Sequence, residues 1–80
     1  MTKRKSDRRD ARLGAAIKDR RIKLDMTQAE LADTLGVGIA LVSRWESGTY
    51  RIPLSTFLDI AQALRVRPSR LISAALKQGQ

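Results

Sequence analysis

The chain has 80 residues, no Cys and no His, and 16 Lys and Arg against eight Asp and Glu, a formal charge of +8 with a sequence pI near 11.2. Such a length allows one small domain whose stability leans on tight helical packing or on a second subunit. Without Cys and His there is no disulfide framework, no thiolate metal site and no usual general base, so no enzyme, metal or cofactor is expected. The charge suits a polyanion, either nucleic acid or an anionic surface.

Membrane insertion is not expected. The longest uncharged run, residues 34–43, has ten residues and two glycines, against the ~20 apolar residues of a spanning helix. The basic start is followed by LGAAI, but Lys18 and Asp19 interrupt it before a signal-peptide core can form. A cytoplasmic location is the expectation.

Residues 1–10, MTKRKSDRRD, hold no large apolar side chain after the initiator and read as a basic disordered arm. Through Arg12 the arm carries six basic and two acidic residues, half of the total charge. It serves either as a solubilising tail or as a tracker of phosphates. A folded domain is expected over 11–76 and a short tail over 77–80.

From Ala11 the pattern is helical, with Leu13, Ile17 and Leu24 at helical spacings and a stop near Asp25, a residue that tolerates left-handed backbone. Thr27 and Glu30 form a capping box that opens a short second helix burying Leu31, Ala32 and Leu35 and ending at Gly36. A third helix runs from about Ile39 to Ser47, with Val42 and Trp45 inward and Gly48 as its stop. Pro53 suits the first residue of a fourth helix, whose buried stripe is Leu54, Phe57, Leu58, Ala61 and Leu64. Pro68 opens a fifth, with Leu71, Ile72 and Leu76 apolar. No segment alternates with the period of a strand, so the fold class is all-α with five short helices.

Two helices joined by a tight Gly-containing turn describe a helix-turn-helix. TQAELADTLGV, then VSRWESG, IAQALRV and SRLI, closely resemble the lambda-repressor-like (Cro/XRE) helix-turn-helix family over about residues 13–73. The resemblance implies a compact five-helix domain whose second helix lies across the DNA backbone and whose third enters the major groove. It implies phosphate contact at the start of the second helix, at Thr27 and Gln28. It brings Gly38, Ile39, Ala40, Ser43 and Arg44 to the groove, and Tyr50 and Arg51 to the sugar-phosphate backbone. It also implies a structural salt bridge between Arg21 and Glu46. Ile39 and Ala40 then suit thymine methyl groups, and Arg44 suits a guanine through O6 and N7.

Many relatives carry polar residues where this chain has Gly38, Ile39 and Ala40, which leaves hydrogen-bond readout on Arg44, with Ser43 secondary. Arg65 occupies a position that is commonly Gly in the family, so a strained corner is expected there.

The function implied is a sequence-specific regulator of transcription, a repressor, acting as a homodimer on a pseudo-palindromic operator in double-stranded DNA. RNA polymerase is a candidate protein partner. An antitoxin that autoregulates its operon and a protein-interaction adaptor on the same fold are the alternatives. The short end LKQGQ leaves little room for a toxin-binding extension, and the charge and Gln28 argue against the adaptor.

Overall fold

The computed structural model describes residues 7–78. It consists of α1 (Arg8–Lys23), α2 (Gln28–Leu35), α3 (Ile39–Ser47), α4 (Leu54–Ala63) and α5 (Pro68–Lys77), with no strand among the described residues. The fold is the all-α, five-helix class expected from the sequence. No helix among these residues is long and apolar enough to cross a membrane.

α1 starts three residues before the expected boundary at Ala11. The cause is a second capping box that charge counting passes over. The Asp7 carboxylate accepts hydrogen bonds from the amides of Arg9 (2.9 Å) and Asp10 (3.3 Å), while Asp10 accepts the Asp7 amide at 2.7 Å. Arg9 donates to the same Asp7 side chain at 2.9 Å, which together with the two amides holds its carboxyl down at about 2. Asp7–Asp10 therefore belong to the folded domain. The rest of the expected arm, residues 1–6, lies outside the described residues. At the other end α5 extends through Lys77 and Gln78 donates to Asp19, so the tail expected over 77–80 begins inside the fold.

α1 gives way at Leu24 to Asp25, whose φ of 55° turns the chain toward α2. Thr27 and Glu30 exchange side chain and amide at 3.0 and 2.8 Å, and this lowers the Glu30 pKa, chiefly through the Thr27 amide. α2 ends in a left-handed Gly36, and the Val37 amide returns to the Ala32 carbonyl at 2.9 Å.

Pro53 is the extended N-cap of α4 rather than its first helical residue. The stripe expected on α4 is also displaced. Phe57, Ile60 and Ala61 are buried, followed by Leu64, whereas Leu54 is 72% and Leu58 47% exposed. These two leucines lie one turn apart at the edge of the buried sector, so spacing alone does not tell them from core positions. On α5 only Leu71 is fully inward, and Ile72 and Leu76 are 49% and 64% exposed.

All five helices contribute to one core, centred on Ile17, Leu31, Val42, Trp45, Ile60 and Leu71. α1 packs on both α3 and α5, which makes it the spine of the domain. On one side it carries Arg20, which donates to the carbonyls of Leu64 and Arg65, each at 3.0 Å. Arg65 has φ 54°, a left-handed conformation that costs a non-glycine residue roughly 1–2 kcal/mol. The Arg20 fork holds that strained corner from outside.

On the other side Arg21 reaches α3. Its Nε and Nη2 donate to the two Glu46 oxygens at 2.6 and 3.1 Å, and its Nη1 donates to the Met26 carbonyl at 2.6 Å. Both side chains are over 90% buried. Gln28 completes the group, its amide donating to Glu46 at 2.9 Å. No buried side-chain nitrogen or oxygen is left without a partner among the described residues.

Helix contact here is close enough to demand glycine. A Cβ on Gly14 of α1 would overlap the carbonyl oxygens of Trp45 and Glu46 in α3, which are backbone atoms with nowhere to go.

Two substitutions test these contacts. Glu46→Ala leaves Arg21 charged and uncompensated in the interior, and should destabilise the protein by roughly 3 kcal/mol, the low end for breaking a buried pair. Gly14→Ala should cost about the same, at the upper end for overpacking, because α1 must back away from α3. Urea unfolding midpoints equal to wild type would contradict each in turn.

Candidate nucleic-acid interface

α3 divides cleanly into two faces. Val42, Trp45 and Glu46 are buried, and Ile39, Ala40, Ser43, Arg44 and Ser47 are exposed. At about 100° per residue these five occupy one continuous sector of the helix. Four of them are the residues expected at the groove. Ser47 is an addition, one turn beyond Ser43. Its hydroxyl bonds the Arg44 carbonyl and Thr49 Oγ1, at 3.1 and 2.7 Å.

Gly38 is the N-cap of α3, with ordinary φ and no side-chain cap. A Cβ there would meet nothing within 4 Å, so no contact inside the protein requires glycine. The first amides of α3 are left bare and open.

The C-terminal end of α3 is shaped by Gly48. Its φ of 79° is left-handed, and its Cα faces Ala11 of α1 too closely for a side chain. The reversal sends the amides of Thr49 and Tyr50 back to the Arg44 carbonyl, at 2.9 and 3.2 Å. Tyr50 thereby comes to lie against Arg44, whose Cζ stands over the phenol ring, 5.3 Å from its centroid.

Arg51 is turned elsewhere. Its Nε lies 3.4 Å from Asp10 and its Nη2 3.8 Å from Asp7, the two acids that cap α1. The loop after α3 and the first turn of α1 are thus one surface. Thr27 and Gln28 sit at the start of α2, but their polar groups have internal work: the Thr27 hydroxyl caps Glu30, and Gln28 holds Glu46. Gln28 keeps a second amide hydrogen for an outside acceptor. The links from Gln28 to Glu46 and from Arg51 to Asp10 leave no sequence signal, because they join distant parts of the chain.

The positive charge is not spread evenly. Residues 1–23 hold ten Lys and Arg against three Asp, and residues 61–80 hold four against none. Residues 24–60, which contain the helix-turn-helix, hold only Arg44 and Arg51 against five acids. The first turn of α1 meets the loop after α3, where Arg9 lies with Asp7, Asp10, Arg51 and Ile52, whereas Arg8 and Arg12 line a separate depression with Gln78 at the end of α5.

A sequence profile described as helix-turn-helix matches residues 17–71. An uncharacterised HTH-type transcriptional regulator of Sinorhizobium fredii is 32% identical over 98% of this chain and 54% of its own length. A transcriptional regulator from the ATPase CF(0) region of Rhodospirillum rubrum is 39% identical over 71% of this chain and 53% of its own. The chain thus spans about half the length of these relatives.

Among solved structures, the restriction-modification controller protein C.AhdI of Aeromonas hydrophila superposes with a TM-score of 0.73 at 26% identity, over 76% of this chain and 92% of that one. The clp gene regulator ClgR of Corynebacterium glutamicum matches in fold, with a TM-score of 0.82 at 24% identity over 94% and 95% of the two chains. With its capped α2, left-handed Gly36 turn and two-faced α3, the chain belongs to the helix-turn-helix family of transcriptional regulators, in its lambda-repressor-like (Cro/XRE) branch.

Proposed function

We propose that this domain binds double-stranded DNA as a homodimer at a two-fold symmetric operator and represses transcription by occupying a promoter. The observation that carries the reading is the exposed sector of α3: an arginine with no carboxylate partner among the described residues, small and apolar neighbours, and a bare N-terminus. A helix with that face enters a major groove without steric obstruction. Ile39 and Ala40 meet thymine methyl groups, Arg44 reads guanine, and Ser43 supports it. Gly38 lets the start of the helix come close to the DNA backbone.

Positioning comes from the flanks. Gln28 and the N-terminus of α2 take one phosphate, with Thr27 beside them. Tyr50 lies at the edge of the groove. Arg51 meets phosphate only by loosening its contacts with Asp7 and Asp10, which are long enough to exchange. The arm, with Lys3, Arg4 and Lys5, starts from the α1 cap beside that same loop and supplies sequence-independent attraction. The α3 face has few hydrogen-bonding groups, so part of the selectivity comes from DNA shape.

A single unit reads too few base pairs for useful selectivity. Leu54 and Leu58 on α4 and Ile72 and Leu76 on α5 are the largest exposed apolar side chains away from α3 and its loop, apart from Ile22. α4 and α5 pack against each other, which makes them the best-supported dimer surface. The two recognition helices then sit about 34 Å apart, one turn of DNA.

Selection of bound duplexes from a random pool should return a motif with two-fold symmetry. On that site Arg44→Ala should cost on the order of 1–3 kcal/mol and relax preference at one position per half-site. Removing residues 1–6, which spares the Asp7 cap, should weaken selected and random DNA alike. It should also flatten log K against log salt by about 0.9 for each phosphate that the shortened chain no longer neutralises. A uniform fall in affinity for Arg44→Ala over all sequences would make Arg44 a phosphate contact only. Ile72→Asp combined with Leu76→Asp should yield a folded monomer that binds the operator weakly. A wild-type monomer, free and on its operator, in light scattering would rule the dimer out.

A further inference from the structure

We propose that Tyr50 is the positioning residue for base recognition: its ring holds the Arg44 guanidinium at the groove-facing end of α3 before DNA arrives. The proposal rests on the reading of Arg44 as the base contact and assigns Tyr50 a role other than gripping the backbone.

Two observations support it independently. The Tyr50 amide donates to the Arg44 carbonyl at 3.2 Å, so the backbone of Tyr50 is fixed to the residue whose side chain it touches. The Arg44 Cζ lies over the Tyr50 ring, 5.3 Å from the centroid, within the range where a cation is attracted by an aromatic face. Gly48 makes both possible, because only a left-handed residue there folds the chain back onto the last turn of α3.

The contact with the ring and the base contact make different demands on the guanidinium. The cation–π attraction acts through the charge of the guanidinium at 5.3 Å from the ring centroid, and a bidentate contact to guanine O6 and N7 takes only two of its five N–H donors. Arg44 can therefore keep its place over the ring while it reads a base. A free arginine side chain samples many rotamers, all but one of which are given up on binding. Restricting them beforehand lowers the cost of recognition, and lowers it most for the duplex that offers the matching edge.

Arg44 also differs from the other arginines near it. Arg21 is held by Glu46 and Arg51 by Asp7 and Asp10, whereas among the described residues Arg44 has no carboxylate partner and rests on the aromatic ring. An acid in that place would occupy the guanidinium edge and block readout. The ring restrains the charge and leaves its donors free.

The test uses the full chain with the selected operator duplex, its three variants at the base pair whose preference Arg44→Ala erases, and a random duplex. Binding is followed by fluorescence anisotropy at several salt concentrations. Tyr50 is 47% exposed, so its variants should fold as wild type, which thermal melts check. Tyr50→Phe should keep the discrimination. Tyr50→Ala and Tyr50→Leu should reduce it by about two- to fivefold, the range for an exposed cation–π contact. Random-DNA affinity and salt slope should not change, and Tyr50→Ala should not lower discrimination any further in an Arg44→Ala background.

Three results overturn the proposal. Weaker binding to all duplexes alike with a shallower salt slope makes Tyr50 a backbone contact. An equal fall in discrimination for Tyr50→Phe makes the hydroxyl the active group. Tighter binding by Tyr50→Ala means that the ring holds Arg44 away from DNA. If no single base pair loses its preference in Arg44→Ala, the reading beneath the proposal fails, whatever the Tyr50 variants do.

Discussion

The buried pair of Arg21 and Glu46 is the contact on which the arrangement of the other helices depends. Removing two opposite charges from water is costly, and a well-packed apolar pair of the same volume is often at least as stable. What the pair supplies is directionality. Arg21 spends its fork on Glu46 and on the Met26 carbonyl, and Glu46 also accepts from Gln28. Four points from α1, α2, α3 and the turn between α1 and α2 meet at one spot. A shift of α3 along α1 would break several short hydrogen bonds at once. Gly14 gives the same constraint in steric form, since it lets α1 approach the backbone of α3 directly. The exposed face of α3 is therefore aimed by contacts on its opposite side.

What can be read from the sequence follows from how local each signal is. The Thr27–Glu30 box, the stops at Gly36 and Gly48 and the left-handed Asp25 involve residues close in sequence, and each leaves a residue-type signature. The Asp7–Asp10 box is equally local but lies in a run of arginines, where net charge suggests a tail. Leu54 and Leu58 are hard to place for another reason. A helix edge and a helix core differ by a small rotation, and which side is covered depends on where α5 packs. The strained corner at Arg65 follows from the family resemblance, which commonly has glycine at that position. That Arg20, on another helix, holds that corner does not.

The candidate site is legible as a set of residues but not as a set of connections. Ile39, Ala40, Ser43 and Arg44 share the exposed face, and Gln28 and Tyr50 flank it. The hydrogen bond of Gln28 to Glu46, the turning of Arg51 to Asp10 and the cation–π contact of Arg44 with Tyr50 are events in space. They change what each residue has left to offer a ligand. The charge is likewise organised by folding. The helix-turn-helix segment is acidic on balance, and most of the basic residues lie before and after it in the chain, the first turn of α1 packing beside the end of α3. At ~0.1 M salt a charge is felt over only about 10 Å, so packing decides whether those basic residues serve the α3 face.

Arg20 and Arg21 give α1 a second part to play. Neighbours on a helix point about 100° apart, so adjacent residues can serve different neighbours. Arg21 fixes α3, and Arg20 fixes the corner between α4 and α5. The relation between the exposed face of α3 and the apolar edge of α5 thus passes through α1, which packs on both helices and adds Arg21 on the α3 side and Arg20 at the corner before α5. In the dimer proposed above, joined through α5, the distance between the two copies of α3 is a property of that relation and not of the connecting loops. The half-site spacing of one DNA turn proposed for that dimer depends on such rigidity, because any displacement in one subunit would be doubled by the two-fold axis.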